Sequence, residues 1–197
     1  MRLPFEPALP VDTERLALRA FHPGDFPALF AFHSRPDVVR YVPFEPRTHD
    51  SMAAALERKL AGTALRADGD HLDLAVTLAG SGLLVGDVVL ALTSTEHGTV
   101  EVGYIFDPGH AGQGYATEAV RALLDLVFRQ LRAHRVYARV DARNTGSRAL
   151  CERLGMRPEA HLIDNEWFKG EWSSEVDYAL LDREWTSGGL SARSGGG

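Results

Sequence analysis

The chain has 197 residues, 45% apolar and 24% charged, which suits one well-buried domain and is too short for two ordinary ones. A net charge of -6 argues against non-specific nucleic-acid binding, which needs a basic surface, and fits a cationic partner better. A single cysteine (Cys151) excludes an internal disulfide, eight scattered histidines predict no metal site, and the lack of a leader or membrane-length apolar run predicts a cytoplasmic protein.

Residues 1–12 carry three prolines and no periodicity, so they read as an extended lead-in to a domain over 13–185. Alternation from Arg15 to Phe21, with Leu16, Leu18 and Ala20 on one face, predicts a first strand. Helical spacing from Asp25 to Val42 is broken by Pro36, which predicts two short helices. After a turn-rich loop over 43–48, Asp50 or Ser51 can cap a helix running to about Arg66. Strands follow near Leu72–Leu78 and Leu83–Leu92, parted by Ala79-Gly80-Ser81-Gly82.

The second half predicts a strand over Thr99–Phe106 and a strongly amphipathic helix over Thr117–Leu131. A strand over Arg135–Val140 comes next, then a helix from Thr145 to Leu154 that stops at Gly155. This order implies a right-handed crossover joining two parallel strands. Segments near Pro158–Ile163 and Glu175–Leu181 close the sheet as a hairpin, and Gly- and Ser-rich residues 186–197 read as a flexible tail. The predicted fold class is a mixed α/β (α+β) domain.

Between the strand ending at Phe106 and the long helix lies His110-Ala111-Gly112-Gln113-Gly114-Tyr115-Ala116-Thr117. Small residues at 111, 112, 114 and 116 let a ligand approach the backbone, and the loop feeds a helix N-terminus whose N–H groups are unpaired. That pattern suits a pyrophosphate, each charge-assisted hydrogen bond contributing about 1.5–3 kcal/mol. Glycine content alone equally fits an ordinary strand–helix turn. A Walker loop is excluded because the chain has no Gly-Lys pair, and a dinucleotide fingerprint fails at Thr117.

The segments Glu101-Val-Gly-Tyr-Ile-Phe-Asp-Pro108, Gly112-Gln-Gly-Tyr-Ala-Thr-Glu-Ala119, Asn144-Thr-Gly-Ser147 and Glu152-Arg-Leu-Gly-Met156 together resemble the GNAT acetyltransferases. Thr13-Glu-Arg-Leu-Ala-Leu-Arg19, Asp25 and Pro36-Asp-Val-Val-Arg-Tyr41 resemble the RimJ/RimL branch, whose type members acetylate ribosomal-protein N-termini. The resemblance spans residues 13–182. It implies a mostly antiparallel mixed sheet, splayed between the strands at 99–106 and 135–141, with acetyl-CoA (coenzyme A) wedged into the gap. Backbone of Ile105 and Phe106 would pair with the pantetheine arm. Backbone N–H groups of residues 112–117 (Gly112, Gln113, Gly114, Tyr115, Ala116, Thr117), with the Thr117 hydroxyl as a further candidate, would hold the pyrophosphate, with Ala111 at the start of the cofactor loop and Asn144 and Ser147 near the cofactor arm. Ala111 stands where the family often has Gln or Arg, Met156 where an aromatic is usual, and Cys151 where many members place a tyrosine acid.

The implied partner is an amine acceptor, a peptide N-terminus or a small molecule, and a homodimer stays open. An attacking amine must be neutral, so a proton has to leave it. Glu101, Gly103 and Ile105 share one strand face, and the resemblance points to Glu101 as the base. A glutamate merely paired with an arginine on the sheet surface is the alternative. Cys151 or Ser147 could protonate the leaving thiolate, although Cys151 also reads as a small packing residue and Asn144 as a helix cap. The stretch from Ile163 to Trp172 mixes aromatics with acids and reads either as a rim for a cationic acceptor or as a solvated hairpin tip. A coenzyme A-binding sensor or partner module without catalysis is the second functional reading, motivated by Cys151.

Overall fold

Alternating apolar residues build one sheet in the structure, a computed structural model that describes residues 1–188. Its strands are β1 (Val11–Asp12), β2 (Leu16–Arg19), β3 (His71–Leu78), β4 (Leu84–Ser94), β5 (Thr99–Phe106), β6 (Arg135–Asp141), β7 (Arg157–Phe168) and β8 (Glu171–Leu181). They lie in the order β1-β2-β3-β4-β5-β6-β8-β7. Neighbours run antiparallel throughout, except that β5 and β6 run parallel. This is the mixed, mostly antiparallel α/β domain that the sequence predicts.

The parallel pair is short. β5 and β6 pair only at Thr99↔Arg135, Val100↔Val136 and Glu101↔Tyr137. Beyond Glu101, β5 stays with β4 as far as Phe106↔Gly86, and β6 stays with β8 as far as Asp141↔Glu175. The two strands therefore part like a V, and the β6-facing edge of residues 102–106 is left without a strand partner.

Each sheet face buries its own helices. On one face α3 (Tyr115–Asp125) and α4 (Thr145–Arg153) cover Leu16, Leu18, Leu74, Leu90 and Val100, all fully buried. On the other, α1 (Phe26–His33) and α2 (His49–Ala61) pack Leu29, Phe32 and Met52 against Ala75 and Leu84. The stripe Ala119, Val120, Leu123, Leu124, Val127, Phe128 and Leu131 is buried as its periodicity demands. Burying a Leu or Val side chain contributes about 1.5–3 kcal/mol, so this stripe dominates the docking of α3. Among the described residues, no helix is long and apolar enough to cross a membrane.

Several boundaries differ from the sequence reading. Residues 34–42 form turns rather than a second short helix, because Pro36 has no N–H to continue one; bonds from Val39 N to Arg35 O (3.2 Å) and from Val42 N to Val39 O (3.2 Å) remain. Thr48, not Asp50 or Ser51, caps α2: its hydroxyl accepts from Ser51 N (3.2 Å) while Ser51 Oγ accepts from Thr48 N (2.9 Å). The same helix stops at Ala61 rather than near Arg66, and Thr63 and Leu65 bridge instead to Leu72 and Phe5. The long helix starts two residues early, at Tyr115, and its last turn, Leu126–Leu131, widens to a π-helix. β1 ties the extended lead-in to the sheet, and Phe5 bridges to Leu65 in the segment after α2. Helix α5 (Asp182–Gly188) takes in the first residues of the expected tail, and 189–197 lie outside the described residues.

Candidate active site

The loop leaving β5 is built for close approach to its backbone. Asp107 accepts a hydrogen bond from Gly109 N (2.9 Å), turning the chain as β5 ends. Gly112 and Gly114 take φ of 77° and 81°, the left-handed region that favours glycine. Gly114 is then the N-cap of α3, so Tyr115, Ala116 and Thr117 are its first three residues. Among the described residues, none of the turn, loop and cap hydrogen bonds uses a backbone N–H of residues 112–117. Several outward N–H groups at the positive end of a helix dipole form an anion site, so the residues present fit a diphosphate.

A buttress fixes this loop from behind. The Glu118 carboxylate accepts from Thr13 Oγ1 (2.6 Å), Arg15 N (2.9 Å) and Arg15 Nε (2.7 Å). Arg15 also donates to the Gln113 carbonyl (2.9 Å) and stacks over the Tyr115 ring. The residues behind the RimJ/RimL resemblance thus serve as anchors here, and Arg19 likewise grips Asp25 through two bonds of 2.8 and 2.7 Å.

Two cavities meet at the V. The first, of about 700 Å³, is lined by Ile105, Phe106, Ala111, Gly112, Gly114, Tyr115, Ala116, Thr117, Asn144 and Ser147, all expected cofactor contacts. Gln113 is the exception: it does not line the cavity, and its carbonyl turns to Arg15. The second, of about 960 Å³, lies over the sheet face carrying Asp87, Val89, Ala91, Glu101, Gly103 and Ile105. Gly103 leaves room for the Val89 side chain on this face, since a Cβ there would stand 2.9 Å from Val89 Cγ1. Tyr41, Val42, Tyr104, Ile105, Asn144 and Ser147 line both cavities and mark their junction.

At the junction Asn144 caps α4 by accepting from Ser147 N (3.1 Å). The Tyr104 hydroxyl lies 3.4 Å from the Ser147 carbonyl and 3.7 Å from Cys151 Sγ. Burial, with the Cys151 sulfur adding to it, pushes the Tyr104 phenol well above its ordinary value, so it keeps its proton. Cys151 is fully buried and lines neither cavity, and burial raises its thiol too. Its sulfur reaches the junction only through Tyr104.

Glu101 opens onto the larger cavity but has two partners. It accepts from Tyr137 Oη (3.0 Å) and Arg139 Nε (3.1 Å). The arginine-paired arrangement left open at the sequence level is therefore present, with lone pairs to spare on each carboxylate oxygen. Deeper in the same cavity, Asp87 Oδ2 accepts from Lys59 Nζ (2.9 Å) and lies 3.1 Å from His33 Nε2, while Lys59 also reaches Asp73 (3.2 Å). Burial pushes Asp87 upward, but Lys59 and His33 outweigh it and hold the carboxyl well below the usual range.

Sequence reasoning missed Tyr104 and the Lys59–Asp87–His33 cluster. Alternation puts Tyr104 opposite Glu101, on the core side, and only the splay opens that side at the junction. The acidic, aromatic hairpin stretch lies away from both cavities where its tryptophans are concerned: Trp167 and Trp172 pack edge to face (5.5 Å) and line neither. Glu171 near its tip pairs instead with Arg143.

An unpartnered strand edge for an amide-bearing arm, ending at helix N–H groups that suit a diphosphate, defines a transferase that takes its acyl group from a coenzyme A thioester. Residues 15–157 match the acetyltransferase (GNAT) domain model. An uncharacterised N-acetyltransferase of Bacillus subtilis, YnaD, is 30% identical over 89% of this chain and 98% of its own length. The crystal structure of a GNAT-family acetyltransferase from Bacillus anthracis superposes with TM-score 0.80 at 31% identity, covering 89% of this chain and 100% of that one. Spermidine N-acetyltransferase from Vibrio cholerae, solved with CoA and spermine, shares the fold (TM-score 0.76, 23% identity, 88% and 99% covered). The chain belongs to the GNAT acetyltransferases. It is an N-acetyltransferase with acetyl-CoA as donor and an amine as acceptor.

Proposed function

We propose that the chain acetylates the primary amine of a peptide or protein N-terminus, or of a small molecule, by direct attack within a ternary complex. The observation that carries this is the junction at Tyr104, Ile105, Asn144 and Ser147, where the cofactor cavity opens into the larger one. Two reactants entering from opposite sides meet there without a covalent enzyme intermediate. Cys151, sealed behind Tyr104, has no access for an acyl-cysteine route. The anchors Thr13, Arg15, Arg19 and Asp25 support placement in the RimJ/RimL branch.

Bound acetyl-CoA supplies the acetyl thioester that the acceptor nitrogen attacks. The edge at Ile105 and Phe106 holds the pantetheine arm, and the amides of 112–117, with Ala111 at the loop's entry, hold the diphosphate. Glu101 takes the amine proton, directly or through water, while Arg139 and Tyr137 orient its carboxylate. The Ser147 hydroxyl, and the Tyr104 hydroxyl on turning from the Ser147 carbonyl that it meets at 3.4 Å, can donate into the junction, where negative charge would develop on the thioester sulfur. Ordinary thiols titrate near pH ~8.5, so a phenol that keeps its proton suffices as a hydrogen-bond donor and need not transfer it.

Calorimetry with acetyl-CoA, followed by thiol release across amine and peptide panels, tests the reading. Binding together with turnover supports it. Absence of binding at millimolar acetyl-CoA removes it, and binding without turnover on any amine favours a sensor module.

A further inference from the structure

The larger cavity holds four arginines: Arg47, Arg58, Arg66 and Arg139. Two are neutralised, Arg139 by Glu101 and Arg66 by Glu6. Among the described residues the other two have no carboxylate partner. Arg58, exposed on α2, donates only to the Ala54 carbonyl (3.2 Å). Arg47 is half-buried and its Nε, shut off from solvent, has no hydrogen-bond partner at all. The covered Nε cannot meet a ligand, but the two terminal nitrogens of this half-buried, cavity-lining guanidinium also have no hydrogen-bond or carboxylate partner among the described residues and are left for an acceptor.

The guanidinium is also held in a fixed attitude. Its carbon lies 4.1 Å above the centre of the Phe44 ring. Phe44 in turn stacks on His33, with centroids 5.7 Å apart and planes 8° from parallel, and His33 is pinned by Asp87 at 3.1 Å. With its carbon over the Phe44 ring, the guanidinium keeps its terminal N–H donors for a ligand. Those donors match an oxyanion. Arg47 and Arg58 line the same cavity, and burial, then the Arg58 charge, lower the Arg47 pKa.

We infer that Arg47 and Arg58 form an oxyanion subsite in the acceptor cavity, so that the acceptor amine carries a carboxylate or phosphate group on the same molecule. The inference rests on the acetyltransferase reading and narrows its acceptor class. An acceptor of this kind is zwitterionic, with its nitrogen toward the junction and Glu101 and its anion toward the α2 side. A polyamine would bring its charges against two unpaired arginines.

Thiol release with matched acceptors tests this: one amine bearing a carboxylate, the same amine as its carboxamide, and the same skeleton bearing a phosphate. The carboxylate or phosphate form should show KM about tenfold or more below the carboxamide, with kcat similar. R47M should erase that gap, leave the carboxamide KM nearly unchanged and keep coenzyme A affinity. If R47M fails to fold, R58M, altered at an exposed position, carries the same comparison. Equal KM for all three forms, a preference for polyamines, or an R47M defect in coenzyme A binding overturns the inference. Calorimetry of the same acceptors on the coenzyme A complex separates the two claims. Anion-dependent binding without turnover removes catalysis and keeps the subsite, whereas turnover without anion preference does the reverse.

Discussion

Arg15 Nε donates to Glu118 Oε2 across 2.7 Å, joining the start of β2 to the first turn of α3 over 103 residues of chain. The same arginine holds the Gln113 carbonyl, so the loop's backbone is aimed from behind while its amides stay free in front. E118Q removes the charge and loosens both contacts. Affinity for acetyl-CoA should fall about three- to tenfold in calorimetry, with kcat changed far less, because aim rather than chemistry is lost.

Tyr104 is the hydroxyl at the point where the cavities meet. Y104F should lower kcat about ten- to hundredfold with little change in acetyl-CoA affinity, as expected for one donor aimed at developing charge. C151A should stay within about threefold of the parent, since its sulfur lines neither cavity and acts only behind Tyr104. A larger defect in C151A than in Y104F would reverse the order of these two roles.

Glu101 as base predicts a kcat loss of about a hundredfold or more in E101Q at neutral pH. The loss should shrink as pH rises toward the amine's own pKa, where the acceptor arrives already neutral. A pH–rate profile of parent and variant reads this directly. Full turnover in E101Q at neutral pH would clear the residue.

Asp87 is fully buried and ionised beside Lys59 and His33. Its folded carboxyl titrates below its unfolded value of about 3.9, so the unfolded chain binds more protons between the two. The pair's contribution is therefore complete above about pH 5 and is lost as pH falls through that window. D87N leaves Lys59 partly uncompensated and should destabilise the fold by about 3–5 kcal/mol at neutral pH, with a flatter acid limb in denaturant titrations.

Much of this was legible in the sequence because period and punctuation coincide. Leu16 and Leu18, the stripe from Ala119 to Leu131 and the span Thr99–Phe106 carry their burial in their spacing. Gly112 and Gly114 declare a backbone that only glycine adopts readily. What escaped depends on contacts distant in sequence. Lys59, Asp87 and His33 come from three elements and share no motif, and Tyr104 reads as core until β5 and β6 part. Pro36 marked a break but not that the turns after it would leave Val39 fully buried without a helix. Likewise nothing local foretells that Arg47 would lie on Phe44 with no acid beside it.

The central claim is that free amides at the start of α3, with the open edge of β5, seat coenzyme A. Backbone amide NMR shifts recorded during an acetyl-CoA titration test it most directly. The account predicts the largest, saturable shifts at Gly112–Thr117 and at Ile105–Phe106, lost in parallel in E118Q at low ligand. Saturable binding that leaves those amides unmoved and shifts others instead would contradict it.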